Sequence, residues 1–308
     1  TSYSTHNTQT LPFYIFYSCF GFQRIGDLIW AAGDSRARGF LLGATAGRTT
    51  LSGEGLQHED GSSHLLMSTV PNCVAYDPAF GYELTIIIQH GMRRMLRMEE
   101  DIFYYITVMN ENYRHPALPK ESKEGIVKGM YQISKSKNRS KTKISNVQLL
   151  GSGVILRQVL EASNLLQKDW GVSSDVWSIT SFTELQRNGL ETDRRNRLNP
   201  GEKPEKSWVE CCLQGMAGPA IAATDYMRTV SELIRPWVGR RYVTLRTDGY
   251  GRSDTRAKLR DFFEVDSRHI TIASLKALAD DGHIDEKIVG KAIKKYKISN
   301  KRQDPWKA

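Results

Sequence analysis

The chain has 308 residues, of which 40% are hydrophobic and 25% charged, and 43 Lys and Arg against 34 Asp and Glu give a formal charge of +9. A chain of this length has room for two domains with sizeable cores, and its composition is that of an ordinary soluble protein. Its longest apolar runs, such as Leu84 to Ile88, are far too short to span a bilayer, which excludes a helical membrane protein.

Other sequence-wide features say less. The chain opens Thr1-Ser2-Tyr3 with neither a cleavable signal nor an initiator Met, so this end reads as a processed or truncated boundary. Cys19, Cys73, Cys211 and Cys212 show no C-x-x-C spacing and read as free thiols in a reducing cytoplasm. The positive charge permits a nucleic-acid partner without demonstrating one. Lys135, Lys137, Arg139, Lys141 and Lys143 alternate with polar residues, and no aromatic stands between Gln132 and Val147. Such a run lacks the stacking platforms of single-strand binders and reads as a solvated linker or hairpin.

In chain order, Pro12 to Ser18 is rich in aromatic and β-branched residues and predicts a buried strand. Phe22 to Ala37 has the helical spacing Ile25, Leu28, Ile29, Ala32. Gly39 to Ala46 is a second apolar run. A polar loop follows it, Gly47 to Gly61, which reads GRTTLSGEGLQHEDG. Asn72 to Tyr76 predicts a short strand, Phe80 to Leu96 a helix with a stripe through Ile87, Gly91 and Met95, and Ile102 to Met109 a buried strand. Residues 111–146 are charged and carry two prolines, as an interdomain connection would. A second α/β unit begins at Val147. Its strand Val147 to Leu150, helix Val154 to Lys168 and strand Asp175 to Thr180 precede the alanine-rich Ala220 to Thr224. Helix Tyr226 to Ile234, strand Tyr242 to Arg246 and helix Thr255 to Phe263 complete the alternation. The fold class is therefore α/β, with two parallel-sheet units covered on both faces. The units are expected at 1–120 and 147–308, with a basic linker at 121–146.

Four signals bear on chemistry. Gly151-Ser152-Gly153 sits where a dinucleotide fingerprint would, but Leu156 stands in place of its third glycine, so a tight turn is expected. Glu54 and His58 are four apart, yet Gly53 and Gly55 argue against a helix that would aim both at a metal. Solvated acids remain an alternative for Glu54, His58, Glu59 and Asp60. Against it, a loop leaving the carboxyl end of a parallel strand lines the ligand crevice of such sheets, and a carboxylate with an imidazole suits proton transfer near neutral pH. Thr247 to Asp254, TDGYGRSD, reads as a turn followed by a helix capped by Ser253 or Asp254. Tyr17 and Phe20 end an aromatic strand, where core packing is the usual role.

Taken together, YSCFGFQRIGDLIWAAGDSRARGFLLGATAGRTTLSGEGLQHEDG at Tyr17 to Gly61, YYITVMNENY at Tyr104 to Tyr113, LLGSGVILR at Leu149 to Arg157, SITSFTEL at Ser178 to Leu185 and TDGYGRSDTRAKLRDFFEVD at Thr247 to Asp266 closely resemble one family in collinear order. The family is the homodimeric bacterial pyruvate dehydrogenase, the thiamine diphosphate-dependent decarboxylating component of the pyruvate dehydrogenase complex. The resemblance covers essentially the whole chain and implies roughly the last third of a family member: the later part of a pyrimidine-binding domain, then a transketolase C-terminal-like domain. It implies oxidative decarboxylation of pyruvate with acetyl transfer to the lipoyl group of dihydrolipoyl acetyltransferase, in a cytoplasmic homodimer that uses thiamine diphosphate and Mg²⁺. Phe20 matches the family aromatic that stacks on the cofactor's aminopyrimidine ring, and Tyr17 a neighbouring active-centre tyrosine. Glu54 and His58 match the acid and imidazole that face the substrate side of the cofactor. No metal-binding residue and no role for Glu59 or Asp60 are implied. Ser62 departs from the family run HEDGHSH, which has a histidine there. The family's Gly-Asp-Gly and Asn-Asn elements occur nowhere in the chain, and its cofactor-activating glutamate would lie upstream of Thr1. The isolated chain is therefore expected to be inactive. The alternative is a non-catalytic dimerisation or binding fragment.

Overall fold

The computed structural model describes residues 10–52, 55–136 and 146–308. In its first unit β1 (Phe13–Phe16), α1 (Ser18–Asp34), β2 (Phe40–Gly43), α2 (Ser63–Met67), β3 (Cys73–Tyr76), α3 (Gly81–Leu96) and β4 (Phe103–Thr107) follow one another along the chain. The strands form one parallel sheet in the order β1-β2-β4-β3. Side-chain alternation sends Val74, Tyr76, Tyr104 and Ile106 to one face and Cys73, Ala75, Phe103 and Tyr105 to the other, and both faces are packed. That explains why these strands read as unbroken apolar runs. On α3, Ile87, Gly91 and Met95 are buried as their spacing predicts.

One strand departs from expectation. The segment at Pro12 to Ser18 is not buried: Phe13, Tyr14 and Ile15 of β1 are 48%, 55% and 64% exposed. β1 pairs only with β2 and ends the sheet, so nothing among the described residues covers its outer side. Phe13 stacks on Phe40 at 4.5 Å, and an apolar groove of about 230 Å³, lined in part by Tyr14, Ile25, Leu28 and Phe40, opens beside it.

The second unit draws on α4 (Lys123–Lys128), β5 (Met130–Ser134), β6 (Asn146–Gly151), α5 (Leu156–Trp170), β7 (Ser173–Ile179), α6 (Phe182–Leu198), α7 (Trp208–Leu213) and β8 (Ala220–Ala223). It continues through α8 (Arg228–Glu232), α9 (Arg235–Val238), β9 (Tyr242–Leu245), α10 (Arg256–Phe262), α11 (Ser267–Asp280) and α12 (Glu286–Lys295). Its sheet runs β5-β7-β6-β8-β9, parallel except for β5, which lies antiparallel on β7. The charged stretch between the units thus contributes a helix and an edge strand, while residues 137–145 of its basic run lie outside the described residues. Leu149, Val176, Ile221 and Ala223 face one core and Leu150, Trp177, Ala220 and Ala222 the other. All four cysteines are free thiols. No helix among the described residues is long and apolar enough to cross a membrane.

The carboxyl ends of the two sheets meet. The Asp77 amide, just past β3, donates to the Thr180 carbonyl past β7 at 2.8 Å, and the Gly153 amide past β6 donates to the Asp77 carbonyl at 3.2 Å. Beside this contact Glu111 of the first unit holds the guanidinium groups of Arg157, at 2.6 Å, and Arg260, whose Nε also donates to the Thr49 hydroxyl at 3.2 Å. Both carboxylate and Arg260 are nearly out of water. Removing one partner strands a buried charge, so Arg260→Ala is expected to cost about 3 kcal/mol in urea denaturation. Arg195→Ala, at an exposed pair with Glu205, is expected to leave the urea midpoint nearly unchanged.

Candidate active site

The adjacent strands β1 and β2 release their chains side by side at the carboxyl edge of the first sheet. The Ala44 amide donates to the Phe16 carbonyl at 2.9 Å, and the Ser18 hydroxyl to the Thr45 carbonyl at 3.1 Å. Helix α1 starts four residues earlier than its apolar spacing indicates, which places Tyr17 as its N-cap and Phe20 in its first turn. Gly21 makes this entry possible, because a Cβ there would lie 1.8 Å from the Phe16 ring. The loop from β2 ends in a single 3₁₀ turn, Leu56–His58.

These elements bring three of the sequence-derived residues together. Ring centroids are 5.2 Å apart for Tyr17 and Phe20, 5.3 Å for Tyr17 and His58, and 5.5 Å for Phe20 and His58. Tyr17 is exposed, whereas Phe20 and His58 are half-buried. The Arg24 guanidinium, one helical turn on, lies 4.1 Å over the Phe20 ring, a contact that spacing alone did not flag. The fourth residue, Glu54, lies outside the described residues.

The remainder of the loop overturns the solvated alternative for Glu59 and Asp60. Thr49, Thr50, Glu59, Asp60 and Gly61 are buried. Asp60 Oδ1 accepts the amides of Ser62 and Ser63, each at 3.0 Å, and Oδ2 accepts the Ser63 hydroxyl, so this acid organises the start of α2. Ser62 meets that bond with its backbone amide, not with its hydroxyl. Arg48 donates to the Gly249 carbonyl, the Met227 amide to the Gly61 carbonyl at 2.8 Å, and the Thr49 amide to Asp225 Oδ2 at 3.1 Å. The Arg252 amide donates to Glu59 Oε2 at 2.6 Å. The TDGYGRSD stretch is therefore more than a turn: it closes over the site loop. Its helix is capped by Thr255, whose hydroxyl accepts the Lys258 amide, rather than by Ser253 or Asp254.

Burial sets the protonation of this junction. It raises the carboxyls of Glu59 and Asp225 to about 7 and that of Asp77 to about 6, with hydrogen bonds from the Arg252 amide, from Thr49 and from Thr107 respectively only partly offsetting it. Burial lowers His64 to about 3. The Thr107 hydroxyl donates to Asp77 Oδ1 at 2.7 Å, so His64 Nε2, 3.0 Å from the Thr107 hydroxyl oxygen, is the donor to Thr107. Tyr226 adds its hydroxyl to Asp77 Oδ1 at 3.2 Å from the second unit. Gly151-Ser152-Gly153 is a tight turn with Gly153 at φ +47°, where a Cβ would stand 2.5 Å from Asp77 Oδ2. Among the described residues one cluster has metal-ligand geometry, Asp261, Asp266 and His269, but Arg268 and Arg302 already neutralise it at 2.5 to 2.6 Å.

Two parallel-sheet units joined at their carboxyl ends, with an aromatic cluster and an imidazole at the seam, define a transketolase-like α/β protein. A transketolase from Campylobacter jejuni superposes with a TM-score of 0.62 at 16% identity, covering 86% of this chain and 35% of that one. A split-gene transketolase, described as an inactive β4 tetramer, superposes at 0.59 and 16% identity over 88% of this chain and 76% of its own. Family models match as the pyruvate dehydrogenase E1 component middle domain at residues 1–116 and the transketolase-like TK C-terminal domain at 129–266. The pyruvate dehydrogenase E1 component of Pseudomonas aeruginosa is 61% identical over 306 residues, 99% of this chain and 34% of that protein. The chain belongs to the bacterial pyruvate dehydrogenase E1 family and spans about a third of the length of that relative.

A carboxyl whose pKa rises on folding favours the fold below its unfolded value, and that advantage is lost as pH rises through the folded value. For Asp225 the window runs from 3.8 to about 7. Asp225→Asn keeps an acceptor for the Thr49 amide and removes the charge. Its urea midpoint, relative to the unsubstituted chain, is expected to climb from pH 5 to pH 8; a difference that stays flat contradicts the assignment.

Proposed function

We propose that this chain supplies one face of the active centre of a pyruvate dehydrogenase E1 component. The reaction is oxidative decarboxylation of pyruvate with acetyl transfer to the lipoyl group of dihydrolipoyl acetyltransferase. The observation that carries this reading is the convergence of Tyr17, Phe20 and His58 at the carboxyl edge of a parallel sheet, where such sheets bind ligands. In this reading residues 1–120 are the later part of the pyrimidine-binding domain and 147–308 the transketolase C-terminal-like domain, while 121–146, expected as a basic linker, lends α4 and the edge strand β5 to the second unit, in a cytoplasmic homodimer.

The residues present fit part of a thiamine diphosphate site. Phe20 and Tyr17 offer aromatic surface to a heteroaromatic ring, and the bound cofactor supplies the electron sink for loss of carbon dioxide. The diphosphate and Mg²⁺ fall to parts of the family protein beyond this chain. His58, half-buried and held edge-on against Phe20, is placed to give or take a proton at the substrate's oxygen, with Glu54 as its partner acid. Phe20 and Tyr17 form an aromatic wall on one side of that exchange. In this reading the 308 residues tested alone are expected to show no turnover, since the family's Gly-Asp-Gly and Asn-Asn elements are not among them.

A second reading, a non-catalytic dimerisation or binding fragment, draws on the exposed apolar edge at β1 and on the inactive tetramer of the split-gene transketolase. The two part in one assay. The chain is mixed with a separately made polypeptide carrying the remaining two domains of an E1 component, thiamine diphosphate, Mg²⁺ and a lipoyl domain, and pyruvate-dependent acetylation is followed. Restored acetylation that falls about 100-fold in His58→Ala is the expected result. Turnover by the chain alone would overturn the shared centre, and full activity of His58→Ala would sink the role given to His58; stable assembly without turnover favours the second reading.

A further inference from the structure

Glu59 is the member of the HEDG run whose bonds reach every part of the site. Its backbone continues the turn that carries His58, with its amide directed to the Leu56 carbonyl at 3.4 Å. Its own carbonyl accepts the Cys19 thiol at 3.7 Å, from the stretch of α1 between Tyr17 and Phe20. Its side chain, in a residue only 1% exposed, crosses to the second unit and accepts the Arg252 amide at 2.6 Å. A Cβ at position 251 would lie 2.5 Å from Glu59 Oε2, so Gly251 leaves the space into which the carboxyl fits. The ring-bearing helix, the imidazole turn and the closing loop are thus joined at one residue.

We propose that Glu59 is a positioning residue: its carboxyl clasps the Gly249–Arg252 loop and thereby holds the His58 turn against Tyr17 and Phe20. This rests on the reading of those three rings as the functional site. Glu59 does not touch the space beside the rings, so its effect passes through His58. A side chain one methylene shorter does not reach the Arg252 amide, whereas a carboxamide of the same length does. Arg48 and Cys19 face the carboxyl from the first unit, and Asp225 and the Arg252 amide from the second. Burial, opposed by the Arg252 amide and Arg48, raises the carboxyl to about 7.

The test is NMR of the 308-residue chain, with no cofactor and no turnover, so that failure of the E1 reading leaves it intact. Expected in the unsubstituted chain are cross-peaks between the His58 ring and the Phe20 and Tyr17 rings, and an Arg252 amide shift with an inflection near pH 7. Glu59→Gln is expected to keep the ring cross-peaks and lose the inflection. Glu59→Asp and Glu59→Ala are expected to weaken the cross-peaks, with the Arg252 amide exchanging about ten-fold faster. If Glu59→Ala does not fold, Glu59→Asp against Glu59→Gln decides the matter. Ring contacts that survive in Glu59→Asp, or that Glu59→Gln fails to keep, overturn the proposal.

Discussion

Two parallel sheets that meet at their carboxyl ends confront one another with strand-end amides and carbonyls that water cannot reach. Each must find a partner across the seam. In this molecule the answer is a set of acids. Asp77 takes hydroxyl hydrogens from Thr107 and Tyr226 while its backbone bridges Thr180 and Gly153. Asp225 takes the Thr49 amide, and Glu59 the Arg252 amide. Glu111 binds the neighbouring arginines. Position follows from this: the polar loop after β2 is held by the second unit at its start, through Thr49, and near its end, through Glu59 and Gly61.

The same constraint explains the chemistry available at the seam. Burying a carboxyl disfavours its charged form, and three of them are held back from ionising until near neutral pH. The surface that these acids support is aromatic and open: Tyr17, Phe20 and His58 stand at the rim while the titratable framework lies behind them. An accessible layer is thereby held by a buried one, so the orientation of the rings is fixed by groups behind them.

Most of the fold was legible in the sequence because strands buried on both faces show as apolar runs, and because Ile87, Gly91 and Met95 repeat at helical spacing. The errors have physical causes. Aromatic content makes β1 look buried, but exposure depends on having a neighbour, which no local pattern encodes. Helices α6, α7, α11 and α12 were passed over although their starts are written in the chain: Ser207 and Glu210 form a capping box, and Ser181, Asp266 and Asp285 cap with their side chains. At the site, Tyr17, Phe20 and His58 were singled out through the family resemblance, and they do converge. Glu59, Asp60, Asp77 and Asp225 were not: Asp225 follows an alanine run and Asp77 ends a strand, and nothing local distinguishes a seam acid from a surface one. Arg24 was missed for the same reason.

The meeting of Glu59 with Gly251 reaches beyond this chain. The carboxyl of one fills the volume that a side chain at the other would claim, so glycine at 251 is a condition for the contact. A Cβ at 251 would also lie 2.8 Å from the Glu59 Cβ and 2.9 Å from the Leu56 carbonyl oxygen, so shortening 59 does not by itself relax the demand for glycine. Among descendants of a common ancestor glycine at 251 should persist wherever the acid at 59 does, so that one inherited character is split between distant parts of the gene.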